Sequence, residues 1–327
     1  MNLLEQKMAR GDLLVKLVKA GSNGDLHLFR KIAESLIAEE RANQHHILAE
    51  QLAENLNKNG NSSNNGPNKL DRKISNLFYE ISPNRNLNDL ILPNHVIDGI
   101  NELIEEQNRK DLLCSYNLEP RNRVLLIGPP GNGKTSLAEA IANELMLPMH
   151  VVRYQGIIGS YLGETASRLS NLFDYIKTKQ GVLFFDEFDV LGKERGDINE
   201  TGEIKRVVSS LLLQIDDLPS HVVVIVASNH PELLDKAVWR RFQLRFQLPS
   251  PSKDQIIDWL KLFEDKIEID FKHSYSKIAE NLNGLNFSEI EEFGVDVYRK
   301  YILELPDSNV KKIINQKLEQ WKLKYKN

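Results

Sequence analysis

The chain has 327 residues, 41% of them hydrophobic and 27% charged, with a formal net charge of -4. This composition excludes fibrous and wholly disordered classes, and the length is more than one average domain needs. The longest unbroken apolar run, Val222 to Ala227, falls far short of the roughly 20 residues of a membrane-spanning helix, and the net negative charge gives no expectation of a nucleic-acid partner.

Met1 to Lys7 carries an acid at Glu5 and no apolar run leading to a small-residue cleavage site, so a cytoplasmic location is expected. Residues 1–56 predict a small N-terminal helical domain. Phe29, Ile32, Ala33, Leu36 and Ile37 recur at three-and-four spacing, and Ile47, Leu48, Leu52 and Leu56 repeat the stripe beyond a break near Asn43. A unit this small rarely buries enough apolar surface to be robust alone, which points to docking on a partner or on its neighbours. His45 and His46 are adjacent, so on a helix they face different ways and lack further ligands; a solvated face is expected there. Residues 57–70, mostly Asn, Gly and Ser, predict a flexible linker.

Residues 71–250 read as α/β. Arg123 to Ile127, Met149 to Arg153, Val182 to Phe185 and Val222 to Ala227 are short apolar runs bounded by turn residues, and helix-period segments such as Leu137 to Leu145 and Leu169 to Ile176 lie between them. Such alternation predicts a three-layer parallel sheet. The single cysteine, Cys114, excludes an internal disulfide or a thiolate zinc cage. Beyond Pro249-Ser250-Pro251 the strands cease, and residues 251–327 predict an all-helical lid through Leu260, Phe263, Ile278, Leu282, Ile290, Phe293, Val297, Ile313 and Leu318.

Gly128-Pro129-Pro130-Gly131-Asn132-Gly133-Lys134-Thr135 fits GxxxxGK[ST] in full, between a predicted strand and a predicted helix. The glycines let the backbone curl so that its amides and the helix N-terminus face phosphates, Lys134 adds a point charge, and Thr135 is expected to hold Mg²⁺. Ser136 closes the nucleotide-binding stretch. Val182 to Phe185 deliver Asp186-Glu187 to the end of a buried strand. Alone, that pair is better read as a solvated acidic turn; with a phosphate loop about fifty residues upstream, Asp186 is expected on the magnesium and Glu187 on the attacking water. Asn68-Lys69-Leu70-Asp71 imitates a guanine-reading element but precedes the phosphate loop, which argues against a GTPase or a small-molecule kinase.

With both motifs in place, and with Gly181 to Gly192 reading GVLFFDEFDVLG, the chain resembles the AAA family of ATPases, of the AAA+ superfamily, over roughly residues 86–305. The resemblance implies a P-loop sheet with a helical lid, hydrolysis of ATP with Mg²⁺, a ring of identical subunits of hexameric size, and a protein substrate. It implies that Asn229, after Ser228, contacts the γ-phosphate and the attacking water. Leu233 to Phe242 resembles the segment that presents arginine fingers to the neighbouring subunit; without the Pro-Gly spacer that often separates the two, the choice between Arg240 and Arg241 stays open. Gly159 to Glu164 resembles a first pore loop in which Tyr161 and Leu162 grip an extended polypeptide, and Asp197 to Glu203 is expected as a second, by polarity and position. Gly284 to Ile290 resembles the start of a lid helix near the nucleotide, with Ser288 where other P-loop motors place an arginine.

The helical N-terminal unit, the linker and the single module also resemble bacterial AAA ATPases encoded beside subtilisin-like serine proteases, in systems linked to plasmid maintenance and anti-phage defence. That implies a separate protease partner, because no Ser-His-Asp constellation is apparent in this chain. A reading from another class is an ATP-switched scaffold or DNA-associated regulator that does not thread substrate; Tyr161 separates the two.

Overall fold

The computed structural model describes residues 31–33, 36, 37, 76–157, 162–189 and 198–325. The chain falls into two compact units, Met1–Asp71 and Arg72–Asn327. In the first, the described residues are helical, with Ile32, Leu36 and Ile37 buried as the three-and-four spacing requires. The other residues of the expected N-terminal domain, His45 and His46 among them, and the expected linker lie outside the described residues.

The second unit is built on six strands: β1 (Phe78–Ile81), β2 (Arg123–Ile127), β3 (Met149–Val152), β4 (Gly181–Phe185), β5 (Val222–Ser228) and β6 (Leu244–Gln247). Their order across the sheet is β1-β3-β4-β5-β2-β6. Strand β1 is antiparallel to β3, and every other pairing is parallel. Parallel neighbours need crossover helices, which cover both faces and leave the strands nearly all apolar.

On one face Leu125, Ile127, Leu183, Phe185, Val224 and Val226 meet α5 (Leu162–Lys177) and α6 (Ile198–Asp216) through Leu169, Phe173, Leu211 and Ile215. The alternate residues Val124, Leu126, Val182, Phe184, Val223 and Ile225 meet α1 (Asn94–Asn108) and α3 (Lys134–Glu144) through Ile100, Leu103, Leu137 and Ile141. Two short helices, α2 (Lys110–Ser115) and α4 (Tyr154–Ile157), follow α1 and β3. Burying one such large apolar side chain contributes roughly 1.5–3 kcal/mol, so both layers are held by many comparable terms.

The sequence predicts four strands, and the structure adds two at the sheet edges. Strand β6 alternates buried Leu244 and Phe246 with exposed Arg245 and Gln247, and only four residues carry the pattern. Strand β1 is equally short, with two exposed central residues. The polar run expected as a second loop is helical from Ile198 onward, inside α6; Asp197 lies outside the described residues.

After α7 (Lys236–Arg241) and β6, the remaining helices are α8 (Lys253–Ile267), α9 (Tyr275–Leu282), α10 (Phe287–Leu303) and α11 (Val310–Tyr325). They enclose a separate core of Ile256, Leu260, Phe271, Ile278, Ile290, Phe293, Ile314 and Leu318. Capping boxes start two of them, Ser252 with Gln255 on α8 and Asn286 with Glu289 on α10, satisfying amide groups that helix geometry leaves without partners.

Strand register decides where the loops meet. Ile127, last in β2, lies opposite Ser228, last in β5, and Phe185, last in β4, lies opposite Val226. The exits of three strands therefore converge, and Gly128 leaves β2 at φ 147° with its N–H donating to the Ser228 carbonyl at 3.3 Å. A Cβ on Gly128 would stand 2.1 Å from the Leu248 carbonyl oxygen, beyond β6. Gly128→Ala is expected to destabilise the chain by at least about 2 kcal/mol through backbone strain alone. The midpoint of chemical unfolding measures this, and a variant as stable as the parent contradicts the close approach.

Candidate active site

The loop from Gly128 to Gly133 joins β2 to α3, and Lys134, Thr135 and Ser136 open that helix, the strand-loop-helix order in which the motif was expected. Gly131 and Gly133 have φ 76° and 83°, the left-handed region that glycine enters without a steric penalty. Gly133 is also the N-cap of α3, which no side chain caps and whose first turn holds no acid. The amides of that turn remain available to an anion, and the helix dipole adds to the attraction. Asn132 is buried, and among the described residues its Nδ2 has no hydrogen-bond partner.

Lys134, only 6% exposed, donates from Nζ to the carbonyls of Gly128 (2.7 Å) and Pro129 (2.8 Å). Burial lowers its pKa from the ordinary lysine value, against the opposing influence of Asp186, Asp189 and Glu187. Thr135 Oγ1 donates to Asp186 Oδ2 at 2.8 Å, and the Glu187 N–H donates to Asp186 Oδ1 at 3.0 Å. The expected magnesium pair is thus already in contact. Among the described residues no three His, Cys, Asp or Glu side chains group to hold a metal ion. Two protein oxygens suit Mg²⁺, which keeps water and phosphate oxygens in the rest of its shell.

Glu187 is exposed at φ 49°, and Asn229 follows β5, half-buried. Asp189, which the sequence reading gave no role of its own, fixes Asn229: buried Asp189 accepts from Ser228 Oγ at 3.1 Å and from the Asn229 N–H at 3.0 Å through Oδ1. Its place two residues after Glu187, in a run otherwise entering a turn, was the available signal. The register thus brings Thr135, Asp186, Glu187 and Asn229 together around the loop.

The lid also reaches the loop. Ser288 donates to the Gly131 carbonyl from its N–H (2.9 Å) and its Oγ (3.2 Å), and the Phe287 N–H donates to Asn132 Oδ1 at 3.3 Å. Ser288, expected near the nucleotide, therefore holds the loop backbone. Arg240 and Arg241 lie in the last turn of α7. Leu162 opens α5, whereas Tyr161 lies outside the described residues.

The family model described as ATPase family associated with various cellular activities (AAA) matches residues 124–250, from the phosphate-loop strand to the end of the sheet. A second model, described as parvovirus non-structural protein NS1, matches residues 29–153 and ends before Asp186. An uncharacterized AAA family ATPase of Sinorhizobium fredii is 35% identical over 303 residues, 91% of each chain. A putative 26S proteasome regulatory subunit homolog of Methanothermobacter marburgensis is 34% identical over 176 residues, 53% of this chain and 47% of the relative. The peroxisomal ATPase pex6 of Schizosaccharomyces pombe is 34% identical over 195 residues, 57% of this chain and 20% of the relative. The matches to these last two span less than half of either relative.

A nucleotide held by this loop stabilises the folded chain by about 2.7 kcal/mol at a hundredfold excess over its Kd. Lys134→Ala is expected to abolish that rise in melting temperature with ATP, and an undiminished rise removes Lys134 from the phosphate site.

Proposed function

The chain belongs to the AAA family of ATPases and hydrolyses ATP, and on that premise we propose that it is a protein-remodelling motor, a homo-oligomeric ring of hexameric size in the cytoplasm. The supporting observation is a difference between neighbouring arginines. Arg241 is engaged within its own chain: Nε donates to Asp216 Oδ2 at 2.8 Å and Nη1 to the Ala237 carbonyl at 3.1 Å, while Asp216 Oδ1 accepts from Arg123 at 2.7 Å. Arg240 is exposed and has no hydrogen-bonded or ion-paired partner among the described residues. In this reading Arg240 is the finger that a neighbouring subunit's nucleotide receives, and Arg241 braces α7 against α6.

Thr135 and Asp186 would hold Mg²⁺, which would supply positive charge to the phosphates. Lys134 binds the same phosphates, Glu187 orients and deprotonates the attacking water, and Asn229, fixed by Asp189, contacts the γ-phosphate. Charge developing on the transferred group is stabilised by a cation placed beside it, and in this reading Arg240 supplies one.

A protein client is supported by the relatives named as proteasome regulatory subunits and by the resemblance of Gly159 to Glu164 to a pore loop. Tyr161 and Leu162 then grip the chain. Delivery to a separate subtilisin-like serine protease is a finer part of the proposal and rests on the sequence resemblance alone.

Mixing distinguishes the two arginines. Arg240→Ala alone is expected to lose about 10³-fold of ATPase rate, and blending it with Lys134→Ala subunits should restore activity at mixed interfaces. Arg241→Ala should mainly lower stability, by under about 1 kcal/mol for a partly exposed ion pair. No rescue at any ratio contradicts a shared site. Tyr161→Ala is expected to keep ATPase activity and lose remodelling of a protein substrate, and unchanged remodelling rejects threading.

A further inference from the structure

His150 lies in β3 and has no part in ATP hydrolysis or assembly. Its neighbours in the strand, Met149, Val151 and Val152, are all buried and apolar. His150 is itself only 3% exposed, and among the described residues neither ring nitrogen has a hydrogen-bond partner. Another valine would continue the apolar strand without leaving a polar ring unsatisfied, so strand packing alone does not account for the imidazole. The fold also makes room for it: a Cβ on Gly181, at the start of β4, would stand 2.9 Å from both Cδ2 and Nε2 of the ring.

The ring sits between the edge of the sheet and its interior. In register it lies opposite Glu80 of β1 on one side and Leu183 of β4 on the other. The Phe78 ring of β1 meets it edge-on at 5.1 Å, and Tyr175 of α5 packs on Phe78 in turn, at 5.5 Å. Two charged groups act on it, Glu80 and, from the turn ahead of β4, Lys179. Glu80 Oε2 is 3.7 Å from Nδ1, beyond hydrogen-bond reach, and the Glu80 side chain is 58% exposed. A proton added to the ring therefore places a charge against Phe78 and Gly181 with no acceptor within hydrogen-bond distance among the described residues. Burial lowers the His150 pKa from the ordinary value, with Glu80 opposing and Lys179 adding to the lowering.

Strand β1 is the element able to yield. It is four residues long and pairs with β3 alone, whereas β3 is held on its other side by β4. We propose that His150 makes β1 an acid-sensitive latch, protonation of its ring releasing Phe78–Ile81 from β3 while the strands that carry the phosphate site stay paired. A ring that is neutral in the closed strand and protonated after release leaves the latch fully shut above the ordinary histidine value of about 6.5, and loosens it as pH falls from there toward the lower folded-state value. Release also breaks the bond from the Arg153 N–H to the Leu77 carbonyl (2.8 Å), so its effect reaches the entry to α4.

The test is hydrogen exchange of the full chain, read by mass spectrometry between about pH 7.5 and about pH 5 and corrected for the intrinsic exchange rate at each pH. The amides of Phe78–Ile81 are expected to lose protection below about pH 6.5, their opening equilibrium rising by up to about tenfold per pH unit, the limit for uptake of one proton, while β5 stays protected. Two non-titrating variants, His150→Phe and His150→Gln, are expected to abolish that slope whatever their absolute stability. Glu80→Gln removes the opposing carboxylate and is expected to deepen the total loss by extending the slope to lower pH. Protection of β1 that does not change with pH in the parent, an acid slope that survives in a folded His150 variant, or an equal loss of protection in β5 each overturns the proposal.

Discussion

The active site depends on one constraint, the parallel register that places β5 between β2 and β4. Ile127 opposite Ser228 and Phe185 opposite Val226 bring the ends of three strands to one edge. Each of those strands is buried on both faces, so a one-residue slip would exchange the two sets of core side chains between helical layers. The same packing that stabilises the sheet therefore fixes the separation of Lys134, Asp186 and Asn229. Backbone bonds extend the constraint past the strands, from Gly128 to Ser228 and from Phe188 to Ala227.

Electrostatics then gives the site its purpose. A buried ammonium that donates to the loop carbonyls and an uncapped helix start meet at the loop, while Asp186, Glu187 and Asp189 follow the end of β4. An anion is attracted to one side and a hard cation to the other, which is the charge pattern of a metal-bound polyphosphate. The lid joins through Ser288 and Phe287, whose bonds to Gly131 and Asn132 tie the loop to a helix from a separate core. A change at the phosphates is thereby mechanically adjacent to the lid.

Much of this was legible in the sequence because the informative signals are local. The GxxxxGK[ST] run, the apolar strand ending in Asp186-Glu187 and the switch to helical spacing after Pro251 each fit within a short window. What escaped reading depends on pairing between distant segments. Strands β1 and β6 are four residues long and owe their strand character to neighbours that cover one edge of each. The role of Asp189 appears only when β5 delivers Ser228 and Asn229 to it. The two arginines could not be told apart in sequence, since the difference lies in Asp216, at the far end of α6.

In the proposed assembly Arg240 joins one chain to the next, an exposed cation without a partner among the described residues. The central claim is that hydrolysis requires a neighbour. Specific ATPase activity per subunit, followed through serial dilution alongside sedimentation of the same samples, tests it most directly. Activity is predicted to collapse as the assembly dissociates; an isolated monomer that hydrolyses ATP at the full rate would contradict the account.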